Sequence, residues 1–145
     1  FNTGPRPDLY AGTSPLEGVK AVISQVASSG RADTVLTIID VRRAYFYARA
    51  QRRVFVELPA DDWRPGDEEM CGLLQASLYG TRDAARNWEA ELGGYLQELG
   101  LTKGKANSCL YGNTNGSICV AVHGDDMTCC ASRAELCRNS NQPSF

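Results

Sequence analysis

The sequence predicts an α+β fold in which a mostly antiparallel sheet has helices packed on one face. Three observations predict it: two segments with apolar residues at helical spacing, a β-branched run that ends on an aspartate, and two consecutive hairpin-like segments near the carboxyl end. At 145 residues and 43% hydrophobic composition, the chain can bury one core and has little room for a second domain.

The first helical segment follows a lead that is rich in glycine and proline. Ser14 is the predicted N-cap, Pro15 the first helical residue and Glu17 the capping-box partner. Gly30 stands where a left-handed terminator is expected. The apolar stripe that we expect to pack on the sheet comprises Leu16, Val19, Ile23 and Val26.

The second helix is predicted after a turn at Tyr79-Gly80, with Asp83 as its N-cap and Gly100 as its end. Gly93 and Gly94 inside it indicate a close approach to the helix backbone, because glycine otherwise weakens a helix. Its predicted buried stripe comprises Ala85, Trp88, Leu92, Tyr95 and Leu99.

The strands have different patterns. The run 34–39 is nearly continuously apolar, as for a strand covered on both faces, and it ends on Asp40. The run 53–58 alternates between apolar and polar residues, which predicts one inward and one outward face. A surface loop over 60–69 and a short strand over 70–75 follow.

The predicted hairpin pair contains two adjacent acidic residues. Its turns are Asn115-Gly116 and His123-Gly124-Asp125-Asp126, so Asp125 and Asp126 lie at a hairpin tip. If that hairpin neighbours the strand ending at Asp40, three carboxylates converge, and such a cluster is stable only when cations share it or water covers it. Oxygen ligands of this kind suit Mg²⁺ or Mn²⁺. Alone, the hairpin acids equally fit a polar turn, and Asp40 fits a helix cap.

Bulk composition excludes several classes. No apolar run is long enough to span a membrane, and no secretory signal is visible, which favours an intracellular protein. The six cysteines lack a Cys-x-x-Cys pair, and we expect buried free thiols rather than disulfides or a zinc site. The net charge of -2 argues against a uniformly basic nucleic-acid binder. Five arginines nevertheless form either a solvated loop or a phosphate-binding surface: Arg42, Arg43, Arg49, Arg52 and Arg53.

Four motifs resemble, in order and spacing, the reverse transcriptase of copia-type retrotransposons. They are Asp-Val-Arg-Arg-Ala-Tyr-Phe at 40–46, Arg-Val-Phe-Val-Glu-Leu-Pro at 53–59, Ser-Leu-Tyr-Gly-Thr-Arg-Asp-Ala-Ala-Arg-Asn-Trp at 77–88, and Gly-Asp-Asp at 124–126. The resemblance covers about residues 14 to 131. It implies that 14–138 form a reverse-transcriptase palm with partial fingers, preceded by a poorly ordered lead over 1–13 and followed by a disordered tail over 139–145.

The resemblance also implies the catalytic residues. Asp40 and Asp125 would be the principal ligands of two Mg²⁺ or Mn²⁺ ions, with the Val41 carbonyl and Asp126 in support. Paired ions of this kind serve phosphoryl transfer in many enzymes.

Substrate contacts are implied in the same way. Tyr45 would sit under the incoming sugar and exclude a 2′-hydroxyl, although ordinary aromatic packing is the alternative. Gly80 would let the template-side backbone come close, and Arg82 and Arg86 would face phosphates. Trp88 is interpreted as a core residue.

The implied function is RNA-directed DNA polymerisation on a template-primer of RNA or DNA, with deoxynucleoside triphosphates as substrates. We expect a truncated segment that is inactive alone, from a polyprotein with RNase H and integrase regions. Its expected location is a cytoplasmic virus-like particle with access to the nucleus. The alternatives are a decayed, non-catalytic remnant that binds nucleic acid weakly through Arg42 to Arg53, and a palm-type nucleotide cyclase, which the residues around Tyr79-Gly80 fit poorly.

Overall fold

A computed structural model describes residues 11–12, 14–67 and 69–139. The helices are α1 (Leu16–Ser28), α2 (Ala84–Glu98) and α3 (Arg133–Asn139), with single 3-10 turns at Ala44–Tyr47 and Ala60–Asp62. The strands are β1 (Thr34–Asp40), β2 (Phe55–Glu57), β3 (Cys71–Leu73), β4 (Thr102–Lys103), β5 (Leu110–Gly112), β6 (Cys119–His123) and β7 (Asp126–Ser132). The predicted α+β class is confirmed. Most of the predicted lead 1–13 and of the predicted tail lies outside the described residues; Asn139, assigned to the tail, ends α3.

The strands form two antiparallel sheets. The larger has the order β1-β7-β6-β5-β4, and the smaller pairs β2 with β3. Both predicted hairpins near the carboxyl end are present, and Gly116 in the first turn has the positive φ of 70° that this turn favours. The mostly antiparallel sheet is therefore confirmed.

The prediction that the helices lie on one face is wrong. Val22 of α1 packs against Ala121 and Cys130, whereas Trp88 of α2 packs in a separate cluster with Val120 and Met127. Successive residues of β6 and β7 point to opposite faces, so α1 and α2 cover opposite faces of the large sheet. The physical reason is that both faces of β6 and β7 are apolar and both need cover.

The expectation that β1 is covered on both faces is also wrong. This strand lies at the edge of the large sheet, and Ile38 remains 73% exposed. A β-branched run favours an extended backbone, but it does not determine where the strand stands in a sheet.

The first helix forms as predicted, with a different start and a different buried stripe. Its N-cap is Pro15, and the buried Ser14 hydroxyl makes no capping bond and has no hydrogen-bond partner among the described residues. Val22 is buried, while Leu16 is 62% exposed, so the buried stripe is rotated from the predicted one. Gly30 adopts a φ of 62°, which confirms the left-handed terminator.

The second helix matches its prediction more closely. Asp83 occupies the N-cap position without a side-chain capping bond, and Gly100 has the expected positive φ of 81°. Trp88 and Leu92 are buried as predicted, and Leu96 joins them in place of Leu99, which is half-buried.

Candidate active site

The aspartate that ends β1 meets the acidic hairpin tip. Asp40 lies directly opposite Asp126 in the antiparallel register of β1 and β7. The Val41 N–H donates a 3.1 Å hydrogen bond to the carbonyl of Asp125, which extends the contact one residue beyond the strand. The predicted convergence of these backbone segments is confirmed.

The hairpin tip is a two-residue turn between β6 and β7. His123 pairs with Asp126, and Gly124 between them has a φ of 65°. Glycine suits this turn because it adopts a positive φ readily, whereas a residue with a side chain would be strained even though an added Cβ would meet nothing within 4 Å. Asp125 is half-buried and Asp126 is exposed.

The acids fit a cation site in backbone placement and donor chemistry. Two carboxylates occupy opposed strand positions and a third is adjacent, a set of hard oxygen donors suited to Mg²⁺ or Mn²⁺. Within residues 11–12, 14–67 and 69–139, however, no three His, Cys, Asp or Glu side chains are grouped closely enough to hold a metal ion. Like charges repel, so a closer grouping of these carboxylates needs a cation to offset the repulsion.

Tyr45 stands beside the acids on the 3-10 turn that follows β1. Its ring stacks on Tyr79 at a centroid distance of 4.3 Å and an interplanar angle of 29°. Burial first, then the charge of Asp125 and then Tyr79, raise the pKa of Tyr45 above its ordinary value of 10.0. Arg43 enters the turn with a φ of 60°, an uncommon conformation for a residue with a side chain.

A cleft of about 460 Å³ joins these parts. It brings Tyr45 together with the acidic turn and with α2, and its lining comprises Ala11, Gly12, Tyr45, Ala85, Trp88, Glu89, Val122, His123, Gly124, Asp125 and Asp126. A concave site of this size with convergent polar groups is typical of a ligand site.

The other predicted substrate contacts are not among the described residues that line this cleft. Gly80 has a φ of 88°, which agrees with a turn that requires glycine. Arg82 and Arg86 are exposed, and neither is among the described residues that line the cleft. The predicted roles of Gly80, Arg82 and Arg86 stay predictions.

All five arginines of the arginine-rich segment are exposed, but one of them has an internal partner. Arg52 forms a 3.0 Å ion pair with Asp83, whose side chain is only 7% exposed. This pair connects the residues before β2 to the start of α2, so Arg52 is at least partly structural.

Sequence reasoning missed one contact at the site. Trp88 was assigned to the core, and it is buried at 1% exposure, yet its indole N–H donates a 2.9 Å hydrogen bond to the carbonyl of Gly124. A buried tryptophan needs a partner for its N–H, which was the available signal. The identity of that partner depends on the tertiary fold.

None of the helices in the described part of the chain is both long and apolar enough to cross a membrane.

A comparison with protein families assigns the chain to a class. The model of the reverse transcriptase (RNA-dependent DNA polymerase) family matches residues 5–141, and the chain belongs to this family.

Relatives place it within the family. The chain is 30% identical over 93 residues to the transposon Ty1-DR4 Gag-Pol polyprotein of Saccharomyces cerevisiae, which covers 63% of the chain and 6% of that polyprotein. It is 22% identical over 123 residues to the Retrovirus-related Pol polyprotein from transposon TNT 1-94 of Nicotiana tabacum, covering 83% of the chain and 9% of that polyprotein. The resemblance to copia-type reverse transcriptases is thereby confirmed. The chain spans less than a tenth of the length of these relatives. No solved structure matches it.

Proposed function

We propose that this chain forms the catalytic core of the RNA-directed DNA polymerase of a copia-type retrotransposon. The observation that carries the proposal is the pairing of Asp40 opposite Asp126, with the Val41 N–H bound to the Asp125 carbonyl. It joins the first and last of the four motifs at one edge of one cleft. The family match supports polymerase chemistry over the nucleotide cyclase alternative.

The proposed reaction is nucleotidyl transfer on a template-primer. The 3′-hydroxyl oxygen of the primer attacks the α-phosphate of a deoxynucleoside triphosphate, a new phosphodiester bond forms, and the bond to the leaving pyrophosphate breaks. Such transfer asks little covalent chemistry of the protein, so positioning and charge neutralisation supply most of the acceleration. RNase H and integrase regions of the same polyprotein are the proposed neighbours.

The acids would hold the metal ions. Asp40 and Asp125 would be the principal ligands, with the Val41 carbonyl and Asp126 in support. Bound Mg²⁺ or Mn²⁺ supplies charge neutralisation at the phosphates and activation of the attacking hydroxyl. The Val41 carbonyl already accepts a 3.1 Å hydrogen bond from the Ala44 N–H, and its second lone pair is the one proposed for a cation.

Tyr45 would select the sugar. It lines the cleft together with Asp125, and the stack on Tyr79 limits how far its ring can swing. A ring held in this position would clash with a 2′-hydroxyl, which favours deoxynucleotides. Gly80 would admit the template-side backbone, and Arg82 and Arg86 would bind phosphates.

The test is Mg²⁺-dependent primer extension on a poly-A template by the polyprotein segment that contains this chain. Asp125→Asn removes the charge of a proposed metal ligand and keeps its shape. We expect extension to fall at least about 100-fold, because metal ions contribute several kcal/mol of transition-state stabilisation. The matched control is Asp61→Asn, an exposed acid in the loop after β2, which should leave extension unchanged.

Two outcomes would overturn the proposal. Extension that survives Asp125→Asn would refute the metal role of that residue. Failure of the unmodified segment to extend primers would favour the decayed remnant, and filter binding of labelled RNA, compared with a variant in which Arg42, Arg43 and Arg49 are replaced by glutamine, would then test its weak nucleic-acid binding.

A further inference from the structure

Trp88 makes one polar contact in an otherwise apolar environment. The residue lies in α2, packs in the main core with Leu92 and Val122, and is 1% exposed. Its Nε1–H donates to the Gly124 carbonyl at 2.9 Å across 36 residues of sequence. A hydrogen bond at this distance, with a buried donor and a half-buried acceptor residue, constrains its acceptor more strongly than one that lies wholly on the surface.

The accepting carbonyl belongs to the peptide that precedes Asp125. The peptide that follows Asp125 is bound as well, because the Asp125 carbonyl accepts a hydrogen bond from the Val41 N–H at 3.1 Å. Peptide units are planar, so fixing the two units on either side of one Cα fixes its φ and ψ. Those angles set the direction in which the Cα–Cβ bond of Asp125 points.

We propose that Trp88 is a positioning residue for Asp125: its indole N–H holds the Gly124–Asp125 peptide so that the carboxylate is directed into the cleft beside Tyr45. The inference rests on the proposed function, since Asp125 matters only if it serves the reaction. The inference goes beyond the core role predicted for Trp88 from the sequence. Packing needs the surface of the indole ring, whereas positioning needs its N–H.

The two roles can be separated by variants that keep the ring and remove the donor. Trp88→Phe retains an aromatic side chain in the core but leaves the Gly124 carbonyl without this donor. Incorporation of 3-benzothienyl-alanine at position 88 retains the full bicyclic shape and replaces the N–H by sulfur, so it answers the question even if Trp88→Phe folds poorly. The matched control is Trp63→Phe, because Trp63 donates a similar 3.0 Å bond to the Leu58 carbonyl at an exposed place outside the cleft lining.

The first readout is kinetic. In the polyprotein segment, we expect either change at position 88 to lower kcat for nucleotide addition about 10- to 100-fold, the scale of a misplaced catalytic group, with KM for the deoxynucleotide changed by less than about threefold. Trp63→Phe should alter neither constant. A loss of packing alone would instead lower the fraction of active enzyme, which active-site titration corrects for.

The second readout does not need activity. The Val41 N–H donates to the Asp125 carbonyl, so its amide hydrogen exchange, followed by NMR on this chain, should speed up at least about tenfold in both position-88 variants, while amides of β5 keep their protection. Mn²⁺ binding, followed by electron paramagnetic resonance, should weaken by at least about threefold.

The outcomes are distinguishable from those of the proposed function. If the unmodified segment extends no primer, the proposed function fails, and the exchange of the Val41 amide alone decides whether Trp88 holds the turn. If the benzothienyl variant keeps the parent kcat, the parent Mn²⁺ affinity and the parent exchange rate, Trp88 is a packing residue only and the inference is overturned.

Discussion

The rings of Tyr45 and Tyr79 stack with their centroids 4.3 Å apart. The Phe46 ring contacts the same Tyr79 ring in a tilted arrangement, with a centroid distance of 5.9 Å. Tyr79 comes from the turn that precedes α2, whereas Tyr45 comes from the turn that follows β1. The stack therefore connects the first and third sequence motifs, and its Tyr45 member lines the same cleft as Asp125 and Asp126. It offers a way to test whether the orientation of Tyr45 controls the choice of sugar.

Replacing Tyr79 by alanine should relax sugar selection. An aromatic pair contributes about 0.5 to 1.5 kcal/mol beyond its buried area, so we expect the preference for deoxynucleotides over ribonucleotides to fall about 3- to 10-fold. The measurement is kcat/KM for each triphosphate in primer extension. Tyr79→Phe keeps the stack and should keep the preference. An unchanged preference in Tyr79→Ala would mean that Tyr45 needs no support from this ring.

The two adjacent glycines of α2 should respond oppositely to alanine. A Cβ at Gly93 would lie 2.9 Å from the Tyr111 hydroxyl, whereas a Cβ at Gly94 would meet nothing within 4 Å. Tyr111 is buried and its hydroxyl interacts with Lys103, so it cannot move aside freely.

We therefore expect Gly93→Ala to lower the free energy of unfolding by about 1 to 3 kcal/mol through overpacking. Gly94→Ala should raise it by about 1 kcal/mol through improved helix propensity. Urea denaturation followed by circular dichroism measures both. Equal effects of the two substitutions would show that Tyr111 does not press on the helix as the structure indicates.

These glycines also show what a sequence can and cannot predict. Their presence in α2 indicated a close neighbour, but only Gly93 has one, because the neighbour is Tyr111 on β5 and its reach depends on the tertiary fold. Local signals such as the Asn115-Gly116 turn and the strand ending at Asp40 were sufficient for element type. Local signals did not predict the strand that pairs with β1 or the sheet face that each helix covers, because both depend on contacts between distant segments.

Capping boxes illustrate the same limit. The pattern Ser-x-x-Glu occurs at Ser14 and Glu17, where no side-chain cap forms, and again at Ser132 and Glu135, where it does. There the Ser132 N–H donates to Glu135 at 3.1 Å and the Glu135 N–H donates to the Ser132 hydroxyl at 3.3 Å. A four-residue pattern permits a cap in both places, and the structure forms it only at Ser132.

Removing Arg52 should destabilise the fold out of proportion to its exposure. Its partner Asp83 is buried, with a side chain only 7% exposed, and within the described part of the chain that carboxylate also accepts a 3.4 Å hydrogen bond from the Asn87 amide. Arg52→Met would leave a buried charge without its cation. Because Arg52 itself is half exposed, we expect a loss of about 1 to 3 kcal/mol in the free energy of unfolding, below the full cost of breaking a buried pair.

Chemical denaturation of Arg52→Met, Arg53→Met and the double variant Arg52→Met/Asp83→Asn measures this loss. The neighbouring Arg53 is exposed, so its replacement should change stability by less than about 0.5 kcal/mol. The double variant should recover part of the loss, since the amide needs no counter-charge. A double variant as unstable as Arg52→Met would point to lost packing of the arginine stem instead.

The cysteines yield a prediction about pH. None of the six, all of which lie in the described part of the chain, forms a disulfide; Cys109, Cys129 and Cys130 are buried as expected, whereas Cys71 and Cys137 are exposed. Burial first, then the neighbouring Cys130 and Cys119 thiols, raise the pKa of Cys129 from 9.0 to about 11. Iodoacetamide at pH 8 should therefore modify Cys71 and Cys137 within minutes and leave Cys129 unmodified, as read by peptide mass spectrometry.

The same shift predicts how stability depends on pH. The folded pKa of Cys129 is higher than the unfolded one, so its contribution is fully present below pH 9.0 and is lost as pH rises to about 11. Between these two pH values the Cys129 thiol is ionised in the unfolded chain and still protonated in the folded one. This difference shifts the equilibrium toward the unfolded state. Denaturation of the parent between pH 8 and 11 should show this decline, and Cys129→Ala should show a shallower one, since Cys119 and Cys130 retain raised pKa values of their own. Identical slopes in the two proteins would mean that the Cys129 thiol ionises in the folded chain as readily as in the unfolded one.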